Sequence, residues 1–153
     1  NLMANLSDAL EASVLQNFLT STAVASQVIN AKPTVWAIGL HTTGSTTAET
    51  NANWVASEIL TTGAGIGSNY ARIATTFAIT TTGGVNIVSN TVSASWVSWG
   101  LTSYNPLITH IAIWDSTTVN GGNMLFWVDT NNITPAQTDV ITINSGQITL
   151  TME

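Results

Sequence analysis

Hydrophobic positions change their period along this chain. Near the N-terminus Leu10, Val14 and Phe18 recur four residues apart, with Leu15 and Leu19 beside them. That spacing makes a single apolar stripe on an α-helix. Ser7 is a good N-cap, and Asp8 and Glu11 place negative charge in the first turn, where it favours the helix dipole. A helix is therefore predicted over 7–20. Its stripe must dock on the protein's own sheet or on a neighbouring chain. Residues 21–33 read as a connector that ends at Lys32-Pro33.

Beyond Pro33 the pattern turns strand-like. Thr34–His41 is a short apolar run with β-branched and aromatic bias, and Trp54–Leu60 is a weaker strand candidate beyond a Thr/Gly/Asn loop. Tyr70–Thr80 is the longest candidate, Gly83-Gly84 marks a turn, and Val85–Ser98 holds one or two strands. Ile108–Asp115 and Met124–Asp129 flank the turn signal Asn120-Gly121-Gly122-Asn123 and predict a hairpin. Ile141 and Ile143, then Ile148, Leu150 and Met152, alternate with threonines on either side of Asn144-Ser145-Gly146, and predict a second hairpin. The expected architecture is mainly β: an antiparallel sandwich or barrel-like domain with one N-terminal helix. Residues 1–33 would form the helix and connector, and 34–153 the β domain, in one structural unit. No internal repeat or heptad marks a long fibrous shaft.

Composition sharpens this picture. Only 7% of the 153 residues are charged, against about a quarter in typical domains. The polar surface must be built from Thr, Ser, Asn and Gln. Hydroxyls and amides can be buried against a partner at less desolvation cost than ions, and they respond less to salt. The two cations, Lys32 and Arg72, and the net charge of −6 exclude nucleic acid and anionic membranes as partners. There is no cysteine, hence no disulfide and no thiolate chemistry. No basic segment followed by an apolar one marks a signal peptide.

Catalytic signatures are missing. The eight carboxylates are scattered, and no hydrolase elbow, zinc helix or phosphate loop is present. His41 and His110 lie in strand candidates and read as hydrogen-bonded structural residues. Asp115 with Asn120 and Asn123, and Asp129 with Asn131 and Asn132, are short of the six to eight oxygens that calcium takes and read as turns. No metal and no cofactor are expected. Arg72 is expected to form a structural ion pair with Glu58. Trp36, Trp114 and Trp127 sit in strong strand candidates and are expected in the core. Trp54, Trp96 and Trp99 lie nearer loops and are interface candidates together with Leu10, Val14 and Phe18; stacking on a sugar is the alternative for these tryptophans.

Several segments taken in order resemble a family of small phage virion proteins usually labelled tail fibre proteins. They are Leu6-Ser7-Asp8-Ala9-Leu10-Glu11, Pro33-Thr34-Val35-Trp36, Tyr70-Ala71-Arg72, Thr109-His110 with Ile113-Trp114-Asp115, Gly121-Gly122-Asn123-Met124-Leu125, Ser145-Gly146 and Ile148-Thr149-Leu150. The stretches 42–60 and 86–106 depart from it. The resemblance implies a non-enzymatic virion component, exposed on the particle exterior and repeated as a homo-oligomer such as a trimer. Its partners would be its own copies and major capsid or tail proteins. A compact chain without a shaft points to a capsid decoration, or cement, protein. The alternative is a tail fibre or tail-tip protein that binds a host receptor or glycan.

Overall fold

The computed structural model describes residues 4–6, 33–42, 51–59, 70–82, 85–97, 106–136 and 138–152. The elements, in chain order, are β1 (Ala4–Leu6), β2 (Trp36–His41), α1 (Asn51–Ser57), β3 (Ile73–Thr75), β4 (Phe77–Thr82), β5 (Val85–Asn90), β6 (Ala94–Trp96), β7 (Ile108–Trp114), β8 (Met124–Ile133), β9 (Ile141–Ile143) and β10 (Thr149–Met152). The protein is mainly β, and every strand pairing is antiparallel. Five strands form the main sheet in the order β1-β8-β7-β2-β3. It ends at β1 and β3, which do not pair, so it is an open sheet and not a barrel. The predicted helix over 7–20 lies outside the described residues.

The central strands are apolar on both faces because both faces are covered. On one face Ile38, Leu40, Ile111, Ile113, Phe126 and Val128 pack with Trp96, Ile141 and Ile143 from the β6–β9 pair. On the other, Ala112, Trp114, Met124 and Trp127 pack with Trp54 of α1. Five of the six positions of β2 are buried, as are the first five of β8. Each fully buried aliphatic side chain contributes about 1.5–3 kcal/mol.

Trp54–Leu60 is not the expected strand. It begins in α1, where Trp54, Ser57 and Glu58 bury one side at helical spacing. Seven residues cannot sustain a helix alone, and docking of Trp54 supplies what propensity lacks. The chain then rejoins the sheet: Thr42 N–H donates to Ser57 O at 3.0 Å and Ile59 N–H to Leu40 O at 3.0 Å.

The predicted β7–β8 hairpin forms, while the predicted C-terminal hairpin does not. β9 pairs with β6, and β10 pairs with β5. The run from β5 to β6 lies antiparallel to the run from β9 to β10, as one ribbon bent between two sheets. At the bend residues 90–93 face residues 144–148, one residue more. Gly146 takes up part of that mismatch at φ 79°, a left-handed conformation that side chains resist. Asn90, 1% exposed, holds the rest. Its Oδ1 accepts from Ile148 N–H at 2.9 Å, and its Nδ2 donates to Val92 O and Asn144 O, both at 3.0 Å. A single amide thereby satisfies three backbone groups that the broken ladder leaves open.

Candidate functional site

The most polar cluster in the interior surrounds Glu58 and Arg72, 2% and 4% exposed. Glu58 follows α1 and lies against β2, and Arg72 immediately precedes β3. Arg72 Nε reaches Glu58 Oε1 at 2.7 Å, and Nη2 reaches Oε2 at 2.7 Å. This bidentate fork suits guanidinium and carboxylate geometry. Tyr70 Oη donates to Oε1 at 3.0 Å and accepts from Leu40 N–H at 2.9 Å. Burial first, and then the Glu58 charge, raise the Tyr70 pKa well above the usual phenol value. Gly39 leaves the carboxylate its room: a Cβ there would stand 3.0 Å from Glu58 Oε1 and 3.0 Å from the Trp114 indole nitrogen.

Arg72 also pins the β7–β8 connection. Its Nη1 donates to Ser116 O at 3.1 Å and Gly121 O at 2.7 Å. Its Cζ lies 3.7 Å from the centre of the Trp114 ring, a cation–π contact. Asp115 closes the same loop by accepting from Asn123 N–H at 2.6 Å and Asn123 Nδ2 at 2.8 Å. Hydrogen-bonded on both sides and shut off from solvent, the guanidinium is placed to hold a loop rather than to meet a substrate.

Beside this pair lies a cluster of His41, Trp54, Trp114, His110 and Trp127. His41 stacks on Trp114 with ring centres 5.8 Å apart, and Trp54 sits 5.1 Å away edge-on. His41 Nδ1 and Ser57 Oγ are 3.1 Å apart, a spacing that invites comparison with a nucleophile and its base. The hydrogen-bond directions rule that out. The indole N–H of Trp114 can only donate, and it points at His41 Nε2 at 3.4 Å. Nδ1 therefore carries the ring proton and donates to Ser57, whose hydroxyl donates to Trp54 O at 3.1 Å. A base would have to accept that hydroxyl's proton.

Burial, and then the Arg72 charge, push the His41 pKa down to about 3. Below about pH 6.5 the unfolded chain binds a proton at this residue while the folded chain does not, so acid favours unfolding. His110 shifts downward as well, chiefly through burial, against the raising effect of Asp129 at 2.8 Å. Between pH 6.5 and 5 stability should drop by about 2 kcal/mol through His41. Urea midpoints across this range would show the drop, and His41→Gln should flatten most of it.

Two interface expectations are corrected. Trp54 is 0% and Trp96 5% exposed. Trp54 packs from α1 against the sheet, and Trp96, at the end of β6, is buried in the core and donates from Nε1 to Ala71 O at 2.8 Å. Both fill this chain's own core and present no face to a neighbour. Leu10, Val14, Phe18 and Trp99 lie outside the described residues. Tyr70 and Asn90 are structural anchors that the sequence does not announce, because a lone Tyr or a strand-end Asn carries no periodic signal.

The described surface offers two features. A groove of about 750 Å³ runs beside β8 and the bent ribbon, with Thr130, Asn131, Thr142, Gln147 and Thr149 over an isoleucine floor. Among the described residues its lining has no charged and no aromatic side chain, so these offer neither an acid–base pair nor a stacking platform. The β4–β5 hairpin is the second feature, with Ile79 at its outer strand 70% exposed.

No curated protein matches the chain. A family model described as podophage GP4 fiber I protein gp80 matches residues 5–151. Apart from Ala4 and Met152, that span takes in all three sheets, the buried ion pair and the bent ribbon, and it establishes that the chain belongs to the podophage GP4 fiber I protein family.

Proposed function

We propose that this protein is a non-enzymatic structural subunit of a phage fibre, exposed on the virion exterior, that acts by packing against copies of itself and other tail proteins. The observation that carries the reading is the fibre-family match over nearly the whole chain. It moves the weight from capsid decoration, the first expectation, to the tail-fibre alternative. The surface chemistry supports it. Arg72 is the one Lys or Arg among the described residues and is buried, so beside the exposed Asp129 and Asp139 the described exterior relies on hydroxyls, amides and isolated aliphatics. Such a surface packs without needing a counter-charge. Immunogold labelling of intact particles tests the assignment: gold on the fibres is expected, and gold spread over the head would overturn it.

The fibre reading extends to host recognition. The uncharged groove beside β8 is the described feature whose hydroxyls and amides suit a neutral sugar. A host-envelope glycan array without a hit would remove this part and leave the structural role standing.

A further inference from the structure

We propose that Asn120 is a self-modification site: when the β7–β8 loop opens, its side-chain amide is lost to attack by the Gly121 nitrogen, and the closed loop holds that reaction back.

The chemistry starts from the sequence. Asn120-Gly121 is the one Asn-Gly pair in the chain. The backbone nitrogen of the residue after an asparagine can close a five-membered ring on the side-chain carbon, and a Cβ on that residue crowds the closure. Glycine has no Cβ, and its backbone rotates freely. In the reaction the Gly121 nitrogen gives up its proton and bonds to Asn120 Cγ. The side-chain nitrogen takes up that proton and leaves as ammonia. Water then opens the cyclic imide. Attack at Cγ leaves an aspartate, and attack at the main-chain carbonyl carbon leaves an isoaspartate, whose backbone runs through one extra carbon. Asn120 is exposed, so water reaches it.

The closed loop opposes this at three successive peptide groups. Asn120 N–H donates to Glu58 Oε2 at 3.4 Å, Gly121 N–H donates to Thr118 O at 3.0 Å, and Gly121 O accepts from Arg72 Nη1 at 2.7 Å. The attacking nitrogen is engaged, and the backbone on either side of it cannot turn towards Cγ until those bonds part. Asn120 itself is held at φ 64°, in the left-handed region. The turn does not account for the glycine that follows. Gly122, at φ 76°, occupies the left-handed region, whereas Gly121 lies outside it. Among the described residues a Cβ on Gly121 would first meet the exposed Thr118, at 3.3 Å from its Cβ, and a small shift relieves that contact.

Conversion acts back on the loop. At neutral pH either product adds a negative charge to the residue whose N–H faces Glu58 Oε2. Isoaspartate also lengthens the backbone directly beside the carbonyl that Arg72 holds. In a finished particle the chain is not replaced, so converted loops would accumulate with age. That consequence depends on the fibre reading, and the reaction itself does not.

Tandem mass spectrometry of the isolated full-length protein, incubated folded and in guanidinium in the same mildly alkaline buffer, tests the site and its guard. In the unfolded chain the peptide carrying Asn120 should gain one mass unit before any other asparagine peptide does, and Gly121→Ala should abolish most of that gain. The folded protein should convert at Asn120 at least about tenfold more slowly, because only the open fraction reacts. Asp115→Ala frees the loop end tied at Asn123 and leaves Glu58 and Arg72 in place. It should raise the folded rate several-fold and leave the unfolded rate unchanged. Earlier conversion of another asparagine in the unfolded chain, equal folded and unfolded rates at Asn120, or an Asp115→Ala folded rate no higher than that of the unmodified protein would overturn the proposal.

Discussion

Glu58→Ala should destabilise the protein by about 3–5 kcal/mol, because it leaves the buried Arg72 charge without its counter-ion. For a chain of this length the loss corresponds to a fall in Tm of roughly 6–20 °C. The side chains of both partners are fully shielded from solvent, so added salt should not reproduce the effect. The double variant Glu58→Leu/Arg72→Met should recover part of the loss, since it leaves no unpaired ion inside. Thermal melts at neutral pH followed by circular dichroism are sufficient. A Glu58→Ala melt within a degree or two of the unmodified protein would contradict the account of this pair. The consequences extend beyond two side chains. Glu58 also orders Tyr70, and Arg72 orders the loop through Ser116 and Gly121. Faster amide exchange in residues 116–123 should therefore accompany the lower Tm.

Asn90→Ala should cost about 2–4 kcal/mol: it leaves Ile148 N–H without its acceptor, while Val92 O and Asn144 O each lose one donor and keep Thr75 Oγ1 and Gln147 N–H. The chemistry can be dissected further. Asn90→Asp keeps an acceptor for Ile148 N–H but loses both donated bonds, and it turns a negative oxygen towards two carbonyls. It should therefore be at least as damaging as alanine near neutral pH, and should recover partly in acid as the carboxyl gains a proton. Urea denaturation at two pH values separates these cases. A stability deficit of Asn90→Asp relative to the unmodified protein that is equal at both pH values would show that the side chain does not face those carbonyls.

Much of the main sheet was legible in the sequence. The apolar runs of β2, β7 and β8 follow from strands buried on both faces, and Asn120-Gly121-Gly122-Asn123 marks the hairpin between two of them. Short elements were less legible. α1 exists because Trp54 has a slot against the sheet, and nothing local in Asn51–Ser57 announces that slot. At the C-terminus alternation correctly placed Ile141, Ile143 and Ile148 inside. A strand's burial pattern does not say which strand lies beside it. The bend at Gly146 and Asn90 sends β9 and β10 to different sheets, and that depends on a partner more than fifty residues away. The setting of Arg72 mixes both kinds of information. A lone strand cation suggests an acid partner, and the structure places Glu58 2.7 Å away. That the acid comes from the end of a helix, and that the guanidinium also holds a loop, are facts of packing.

The buried guanidinium also bears on how the protein meets proteases. Trypsin-like enzymes cleave after Lys or Arg, and this sequence offers them two positions, Lys32 and Arg72. Lys32 is followed by Pro33, which makes its bond a poor substrate. Arg72 must leave Glu58, Ser116 and Gly121 before a protease can grip it. Cleavage there would then track the population in which the loop has opened, and its rate would report the free energy of that opening. A sequence of this composition offers trypsin-like enzymes almost nothing to cut, and the arginine it does carry is a gauge of its own integrity.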